Sequence, residues 1–407
     1  MDSHLTIGPD RAGLADPPAA GMQRAAGLRI GVACFASDGG RSGIGQYLVN
    51  VVRRLPVLSP MDEFVLFAPR RDAALWEGLA PRVTVEYVSD LYDSPVPSLL
   101  WHAAALPRRL RTHRCDAVFL PAGNRRLGAA YGLPSVATVH DLSQLHVPQK
   151  YDMARMVYAT RVLPALIGRQ DRVVTVSSST RADVLERTGI APERVSVVPN
   201  GVDLSRYTTR NPAAAAGIAG RLGLEQPYLL YVARLEHPGK NHVTLLEAYA
   251  RLKAAGLPHK LVLAGPRWSG AEAIDAAVAR LGLADCVVFT GFVDGDDLPG
   301  LYLGASGFVF PSLYEGFGIP LLEAMASGTP CCVANVSSLP EVAGNAALLF
   351  DPRDPHDIAQ SMHRLLTDDV LRARLRARGL QRCAEFTWER SAQGVLDACR
   401  SVARKAS

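Results

Sequence analysis

Short apolar runs alternate with helical patterns along this chain, and the alternation starts twice. The first series opens with LRIGVACF (28–35), which predicts a buried strand, and continues through the glycine-rich turn DGGRSGIG (38–45) and the helical pattern QYLVNVVRRL (46–55). It includes DRVVTVSSSTRADVLERTG (171–189), which predicts a strand, a serine N-cap and a helix. Strands that alternate with helices predict an α/β fold with a parallel sheet.

The second series begins after NPAAAAGIAG (211–220), which we interpret as a loose connection. YLLYVARL (228–235) is its first strand, and strands and helices then alternate as far as residue 366. We therefore predict two doubly wound domains that are joined near 205–225 and face each other across a cleft. Ligands of such sheets bind beyond the carboxyl ends of the strands, so candidate residues are sought there.

The length of 407 residues is too great for one ordinary core, which agrees with two domains. Residues 1–27 are rich in Ala, Gly, Pro and Asp and have no apolar core segment, so they predict a disordered leader rather than a signal peptide. The seven cysteines show neither a CxxC pair nor zinc spacing, which indicates reduced thiols and a cytoplasmic protein. No apolar run is long enough to span a bilayer.

The net charge of +5 arises in the N-terminal half, where Arg108, Arg109, Arg111 and Arg114 lie close together in sequence. A basic face of this kind suits anionic lipid headgroups or nucleic acid, and the alternative is an ordinary solvated surface. Nucleic-acid binding is not expected, because the basic residues are not interleaved with aromatic ones and no nucleic-acid motif occurs.

The segment YEGFGIPLLEAMASG (314–328) carries two glutamates, Glu315 and Glu323, where a predicted strand gives way to a helix. The amides from Gly316 to Leu322 predict an anion-binding cradle at the helix N-terminus. Glu323 is placed beside that cradle to accept hydrogen bonds from hydroxyls such as those of a ribose. The alternative is that Glu323 only complements the helix dipole.

Arg234 and Lys240, in RLEHPGKN, also follow a predicted strand and precede a helix. The planar guanidinium of Arg234 suits a phosphate, and Lys240 adds a point charge. Together they would neutralise a departing diphosphate. The alternative is a pair of ordinary surface cations.

The first domain offers two further candidates at predicted strand ends. The amides from Gly40 to Gly43 would approach a phosphate across the cleft, although a flexible glycine-rich loop explains the same residues. His140, in VATVHD, would hydrogen-bond a sugar hydroxyl or a leaving phosphate, or else it is a structural histidine bonded to backbone. Asp141 caps the next segment or orients His140.

Three aspartates in VDGDDL, Asp294, Asp296 and Asp297, form a DxD pattern, and paired aspartates can hold a divalent metal between the phosphates of a nucleotide. We interpret the pattern as a turn followed by a helix N-cap, because Arg234 and Lys240 already supply the positive charge that a metal would provide. The site is therefore predicted to be metal-independent, without a cofactor.

The E-x7-E motif in EGFGIPLLEAMASGTP, taken with ARLEHPGKN, closely resembles the retaining glycosyltransferases of the GT-B fold, in the large family 4 (group 1). TVHDL, VVTVSSSTRADVLER and VVPNGVD are similar to N-terminal landmarks of that family. The resemblance implies an acceptor-binding Rossmann-like domain over 28–208 and a nucleotide-sugar-binding one over 209–387. It also implies that a last helix, within 388–407, crosses back onto the first domain.

The resemblance implies a role for each candidate residue. Glu323 would hold the ribose, Arg234 and Lys240 the diphosphate leaving group, and Glu315 the transferred sugar, with His140 near that sugar from the opposite domain. The base would lie near 291–293. The other substrate-binding residues that the resemblance implies are Gly43, Gly316, Phe317, Gly318, Ile319, Leu321, Leu322, Phe292 and Val293.

The overall pattern most resembles bacterial mannosyltransferases of surface polysaccharide or exopolysaccharide synthesis. This implies GDP-mannose as the donor and a polyprenyl-diphosphate-linked glycan as the acceptor. UDP-glucose and related donors stay open, and so do an epimerase or phosphorylase of the same architecture and a non-catalytic nucleotide-sugar-binding subunit. The basic first domain is compatible with peripheral contact with anionic lipid at the inner face of the cytoplasmic membrane.

Overall fold

The structure is a computed structural model that describes residues 27–147, 156–224 and 227–403. The predicted leader, residues 1–27, lies outside the described residues except for Gly27. The same holds for residues 404–407 of the predicted last helix segment.

Seven parallel strands form the first sheet. They are β1 (Arg29–Ala33), β2 (Glu63–Pro69), β3 (Val83–Val88), β4 (Ala117–Leu120), β5 (Ser135–Val139), β6 (Arg172–Thr175) and β7 (Val195–Val197). Their order is β3-β2-β1-β4-β5-β6-β7, so the chain winds outward from β1 in both directions. Most of these strands are nearly continuous apolar runs, as is typical of parallel sheets that are covered on both faces.

Six parallel strands form the second sheet. They are β8 (Tyr228–Val232), β9 (Lys260–Ala264), β10 (Val287–Gly291), β11 (Gly307–Phe310), β12 (Cys331–Ala334) and β13 (Ala347–Phe350). Their order, β10-β9-β8-β11-β12-β13, repeats the winding of the first sheet with β8 in the place of β1. The predicted α/β class with two doubly wound sheets is therefore confirmed, and the direction of winding switches between β1 and β4 and between β8 and β11.

The helices cover these sheets and connect their strands. They are α1 (Gly43–Leu58), α2 (Pro95–Leu100), α3 (Leu106–Thr112), α4 (Leu163–Gly168), α5 (Ser178–Thr188), α6 (Pro212–Arg221), α7 (His242–Ala254), α8 (Ala271–Arg280), α9 (Leu298–Leu303), α10 (Ile319–Ala326), α11 (Leu339–Ala343), α12 (Pro355–Thr367), α13 (Asp369–Cys383) and α14 (Trp388–Ala403). Ser177 caps α5 as predicted, since its hydroxyl accepts a hydrogen bond from the Thr180 amide at 3.0 Å. Within the described ranges, the helices are too short or too polar to cross a membrane.

The interpretation of 211–220 as a loose connection is wrong, because α6 occupies this segment. The Asn211 side chain caps the helix by accepting a hydrogen bond from the Ala214 amide at 3.2 Å. The asparagine and the proline after it are ordinary helix-start signals, which the two glycines of the segment obscured. The helix packs so closely on α9 that a β-carbon on Gly300 would lie 2.7 Å from the Ala214 carbonyl oxygen.

The last helix, α14, crosses back onto the first sheet, where it packs against α1 and the strands β4 to β6. Its Trp388 is buried with its ring centroid 6.3 Å from that of Tyr47. At the surface, Arg54 donates a hydrogen bond to Glu389 at 2.7 Å. This crossover confirms the predicted GT-B arrangement of the chain, whereas the domain boundaries at 208/209 and 387/388 and the roles of the two domains stay predictions.

Candidate active site

The loop after β11 (311–318) meets the carboxyl end of β5 across the cleft. A β-carbon on Gly316 would lie 1.9 Å from the His140 carbonyl oxygen, so only a glycine fits at this point. The Thr180 hydroxyl lies within hydrogen-bond distance of both carbonyl oxygens, at 3.4 Å from that of His140 and 3.3 Å from that of Gly316. The structure therefore brings together the E-x7-E segment and the histidine that the sequence singled out separately.

Tyr314 extends this contact with side chains that the sequence did not single out. Its hydroxyl donates a hydrogen bond to Asp183 of α5, and its ring stacks on His146 with 4.5 Å between ring centroids. His146 Nε2 lies 2.9 Å from the other carboxylate oxygen of Asp183. Because Tyr314 directly precedes Glu315, these groups of the first sheet help to position that glutamate.

Lys240 and Glu315 form an ion pair with 2.6 Å between Nζ and Oε1. Both side chains are largely buried, at 19% and 14% exposure, which excludes the alternative that Lys240 is an ordinary surface cation. The Lys240 carbonyl accepts a hydrogen bond from the Tyr231 hydroxyl at 2.8 Å. The Glu315 amide donates to the Ser337 hydroxyl at 2.9 Å. Hydrogen bonds to the backbones of Lys240 and Glu315 therefore hold both residues of the ion pair in place.

Arg234 belongs to the same loop as Lys240 and is more open to solvent, at 38% against 19% side-chain exposure. Its guanidinium donates to Glu236 Oε2 at 3.0 Å and lies 4.8 Å from the centroid of the Trp268 ring. This cation–π contact and the hydrogen bond to Glu236 help to hold the guanidinium in place, while its remaining N–H groups stay available for a ligand.

The predicted anion cradle lies in the backbone before α10 and at the start of that helix. The amides of Gly316, Phe317, Gly318 and Ile319 have no hydrogen-bond partner among the described residues. Gly318 adopts φ +102°, a left-handed conformation that favours glycine. The Leu321 amide, by contrast, donates to the Gly318 carbonyl at 3.0 Å, so it is already used within the helix. The side chains of Leu321 and Leu322 are buried in the core.

Glu323 lies one turn into α10, and its carboxylate is only 2% exposed. Tyr207 and Tyr302 each donate a hydroxyl hydrogen bond of 2.9 Å, one to each carboxylate oxygen. Burial raises the pKa of Glu323, and the two tyrosine hydroxyls act in the opposite direction. A carboxylate held in this way is more than a charge that complements a helix dipole.

His140 is buried with its Nε2 at 2.7 Å from the Pro121 carbonyl oxygen. Because a carbonyl only accepts, Nε2 carries the proton in the neutral ring and Nδ1 keeps its lone pair. Burial lowers the pKa of His140 to about 4. His140 therefore makes the backbone hydrogen bond of a structural histidine, and its Nδ1 also remains able to accept a hydrogen bond from a hydroxyl.

The glycine turn of the first sheet faces the second sheet at two points. A β-carbon on Gly43 would lie 3.8 Å from Ile319 Cδ1, which places the start of α1 against the start of α10. The Arg41 guanidinium lies 5.5 Å from the centroid of the Phe292 ring, which is half exposed. Val293 next to it is partly buried.

The three aspartates form the predicted turn but not the predicted cap. The amides of Asp297 and Leu298 donate to the Asp294 carbonyl oxygen, whereas the Asp297 side chain makes no cap hydrogen bond. It pairs instead with Arg221, and Asp296 lies 3.5 Å from Arg206. Arginines from the connection between the sheets thus face these carboxylates.

Two family models match the chain, Glycosyltransferase Family 4 over residues 41–206 and Glycosyl transferases group 1 over residues 219–382. The O-antigen chain mannosyltransferase B of Escherichia coli is 32% identical over 371 residues, which cover 88% of this chain and 95% of that protein. The chain belongs to glycosyltransferase family 4, group 1.

Another relative of this glycosyltransferase is the D-inositol 3-phosphate glycosyltransferase of Frankia alni. It is 30% identical over 401 residues, which cover 89% of this chain and 95% of that protein. The crystal structure of Anabaena HepE in complex with UDP and glucose matches with a TM-score of 0.72 at 21% identity, over 92% of this chain and 100% of that one. At this identity the likeness shows the fold, which is GT-B.

We expect Gly316→Ala to destabilise the glycosyltransferase and to open the cleft, because the added methyl group cannot fit beside the His140 carbonyl. Thermal unfolding and small-angle X-ray scattering measure the two effects. Gly220→Ala is the matched control, since nothing lies within 4 Å of its β-carbon position: it should leave the scattering profile unchanged and, as a glycine-to-alanine change inside α6, should not lower the melting temperature. Equal behaviour of the two variants would contradict the close contact.

We expect His140 to stay neutral, with its proton on Nε2, from pH 8 down to about pH 5, and to titrate near its lowered pKa of about 4. The unfolded chain then binds more protons than the folded one between pH 4 and 6.5, so this residue's contribution to stability is complete above pH 6.5 and is lost as the pH falls toward 4. Side-chain ¹⁵N NMR, with His140→Gln to assign the signal, measures the midpoint. A midpoint near 6.5 would contradict the burial.

Proposed function

We propose that this glycosyltransferase moves mannose from GDP-mannose to a polyprenyl-diphosphate-linked glycan, with retention of the anomeric configuration, in surface polysaccharide or exopolysaccharide synthesis. The name of the O-antigen relative supports the sugar and the pathway. The observation that carries the proposal is the run of amides at 316–319, which have no partner within the described residues and directly follow Glu315, the ion-pair partner of Lys240.

The donor's diphosphate fits between this amide run and the two cations of the β8 loop. The ammonium of Lys240 has three donors, of which Glu315 uses one, so the others remain for phosphate oxygens. Arg234 adds its planar N–H groups from the other side of the loop. These fixed donors would stabilise the negative charge that develops on the departing GDP.

The transferred sugar would lie between Glu315 and His140. Glu315 is tied to Lys240 at 2.6 Å, so we assign it to binding sugar hydroxyls rather than to nucleophilic attack. The Nδ1 lone pair of His140 would accept a hydroxyl from the same sugar. We infer attack by the acceptor on the face that the diphosphate leaves, which retains the configuration without a covalent sugar–enzyme intermediate. The close contact of the two sheets at Gly316 would exclude water from the donor.

The acceptor would occupy the first domain's side of the cleft. Arg125 and Arg126 follow β4 there, and Arg125 pairs with Asp38 at 3.4 Å. Arg126 donates only to carbonyl oxygens and makes no ion pair within the described part of the chain. Cations at this place support an anionic acceptor such as a lipid-linked diphosphate. With the basic α3 segment they also support peripheral contact with anionic lipid at the inner membrane face.

A UDP-sugar is the main alternative donor, because the structurally similar HepE was crystallised with UDP and glucose. The base would lie near Phe292, and recognition of the base through backbone groups would leave no base preference to read from the side chains. A non-catalytic nucleotide-sugar-binding subunit is the other alternative, and it would bind donor without turnover.

We expect GDP and GDP-mannose to raise the melting temperature more than UDP, ADP, dTDP and their sugars, equally with and without Mg²⁺. Arg234→Ala should abolish the shift. A larger shift in melting temperature with UDP would support the same binding site but with a UDP-sugar as the donor. No shift with any of these nucleotides would contradict the donor site itself.

For turnover, Lys240→Gln should lower kcat by about 10²- to 10³-fold, since it removes a fixed donor to the leaving group. The matched control is Lys253→Gln, a half-buried lysine of α7 that donates to the Leu257 carbonyl and should leave kcat unchanged. Turnover of GDP-mannose that Lys240→Gln does not reduce would contradict the assigned role.

A further inference from the structure

Glu323 is held by two buried tyrosines that reach it from different parts of the chain. Tyr302 lies on α9, which connects β10 and β11 of the second sheet. Tyr207 lies in the connection between the two sheets, before α6. Their rings meet edge to face with 5.9 Å between centroids, and their exposures are 0% and 6%. Each hydroxyl therefore has a fixed direction, toward its own oxygen of the carboxylate.

Other polar groups also face this cluster. The Gln46 side chain of α1 and the Arg206 guanidinium favour the charged form of Glu323, while Asp203 and Cys331 face the tyrosines. Burial acts against the charge and raises the pKa of Glu323, so its ionisation depends on these donors together. A protonated carboxyl group accepts weaker hydrogen bonds than a carboxylate does.

We propose that Tyr207 and Tyr302 are positioning residues of the donor site, which hold Glu323 as a charged acceptor for a ribose hydroxyl and thereby set a preference for ribonucleotides over deoxyribonucleotides. This inference rests on the proposed function, in which Glu323 contacts the ribose. The two tyrosine hydroxyls and the Gln46 side chain use three of the four or so acceptor sites of the carboxylate, which leaves one for a ribose hydroxyl. Tyr207 in addition ties the ribose contact to the segment that joins the two sheets.

The experiment compares the affinities of GDP and 2′-deoxy-GDP by calorimetry from pH 6 to 9. The wild-type enzyme should bind GDP at least about tenfold more tightly throughout this range, as expected for a hydrogen bond to a charged group. In Tyr207→Phe and in Tyr302→Phe this preference should fall below about threefold at the low end of this range and recover as the pH rises, because burial raises the pKa of Glu323 and each variant lacks one of the donors that oppose that shift.

Tyr249→Phe is the matched control, because it removes a buried hydroxyl of α7 that donates to the His259 carbonyl, away from Glu323. It should keep the wild-type preference at every pH. Where one of the two test variants fails to fold, the other carries the comparison, and circular dichroism confirms folding. If UDP proves to be the bound nucleotide, UDP and 2′-deoxy-UDP replace the guanine pair.

Three results would overturn the inference. In the first, the test variants weaken both nucleotides equally and pH does not restore the preference, which is a purely structural effect. In the second, the wild-type enzyme binds GDP and 2′-deoxy-GDP equally, which removes the ribose contact but leaves the diphosphate site and the proposed function. In the third, no nucleoside diphosphate binds, and the proposed function fails together with the inference.

Discussion

The backbone of Gly316 lies so close to the His140 carbonyl that no side chain fits between the two sheets at this point. Both segments are strand ends, after β11 and β5, so the contact joins the carboxyl edges where α/β sheets bind ligands. The Ser338 hydroxyl is within hydrogen-bond distance of the Glu315 and Phe317 carbonyls, at 2.9 and 3.0 Å. These carbonyls are engaged, whereas the amides of 316–319 have no partner within the described residues and are left for a ligand.

The charges of the site are arranged around this contact. Lys240 is paired with Glu315 and Arg234 with Glu236, so each cation of the loop after β8 has a carboxylate beside it. Such pairing lets the cations lie in a partly buried cleft without the cost of an isolated charge. A diphosphate that enters adds its own negative charge to donors that are already fixed, which is the condition for stabilising a leaving group.

The sequence predicted the parts of this site that are local in the chain. The E-x7-E motif, the basic loop and His140 each follow a predicted strand, and two doubly wound sheets were predicted from the alternation alone. Side chains that reach across the fold were not predicted. Tyr207 and its hydrogen-bond partner Glu323 are 116 residues apart in the sequence, and Tyr314 and Asp183 are 131 residues apart. No local sequence pattern specifies contacts between residues so far apart. The helix α6 was also not predicted, because its two glycines are poor helix formers. Packing on α9 stabilises this helix, and a local pattern does not show such packing.

A crystal structure with GDP-mannose bound tests the central claim most directly. We expect the diphosphate within hydrogen-bond distance of Arg234, Lys240 and the amides of 316–319, with the ribose at Glu323 and the mannose between Glu315 and His140. A diphosphate bound instead through a metal ion at Asp294 and Asp296, with the amide run empty, would contradict it.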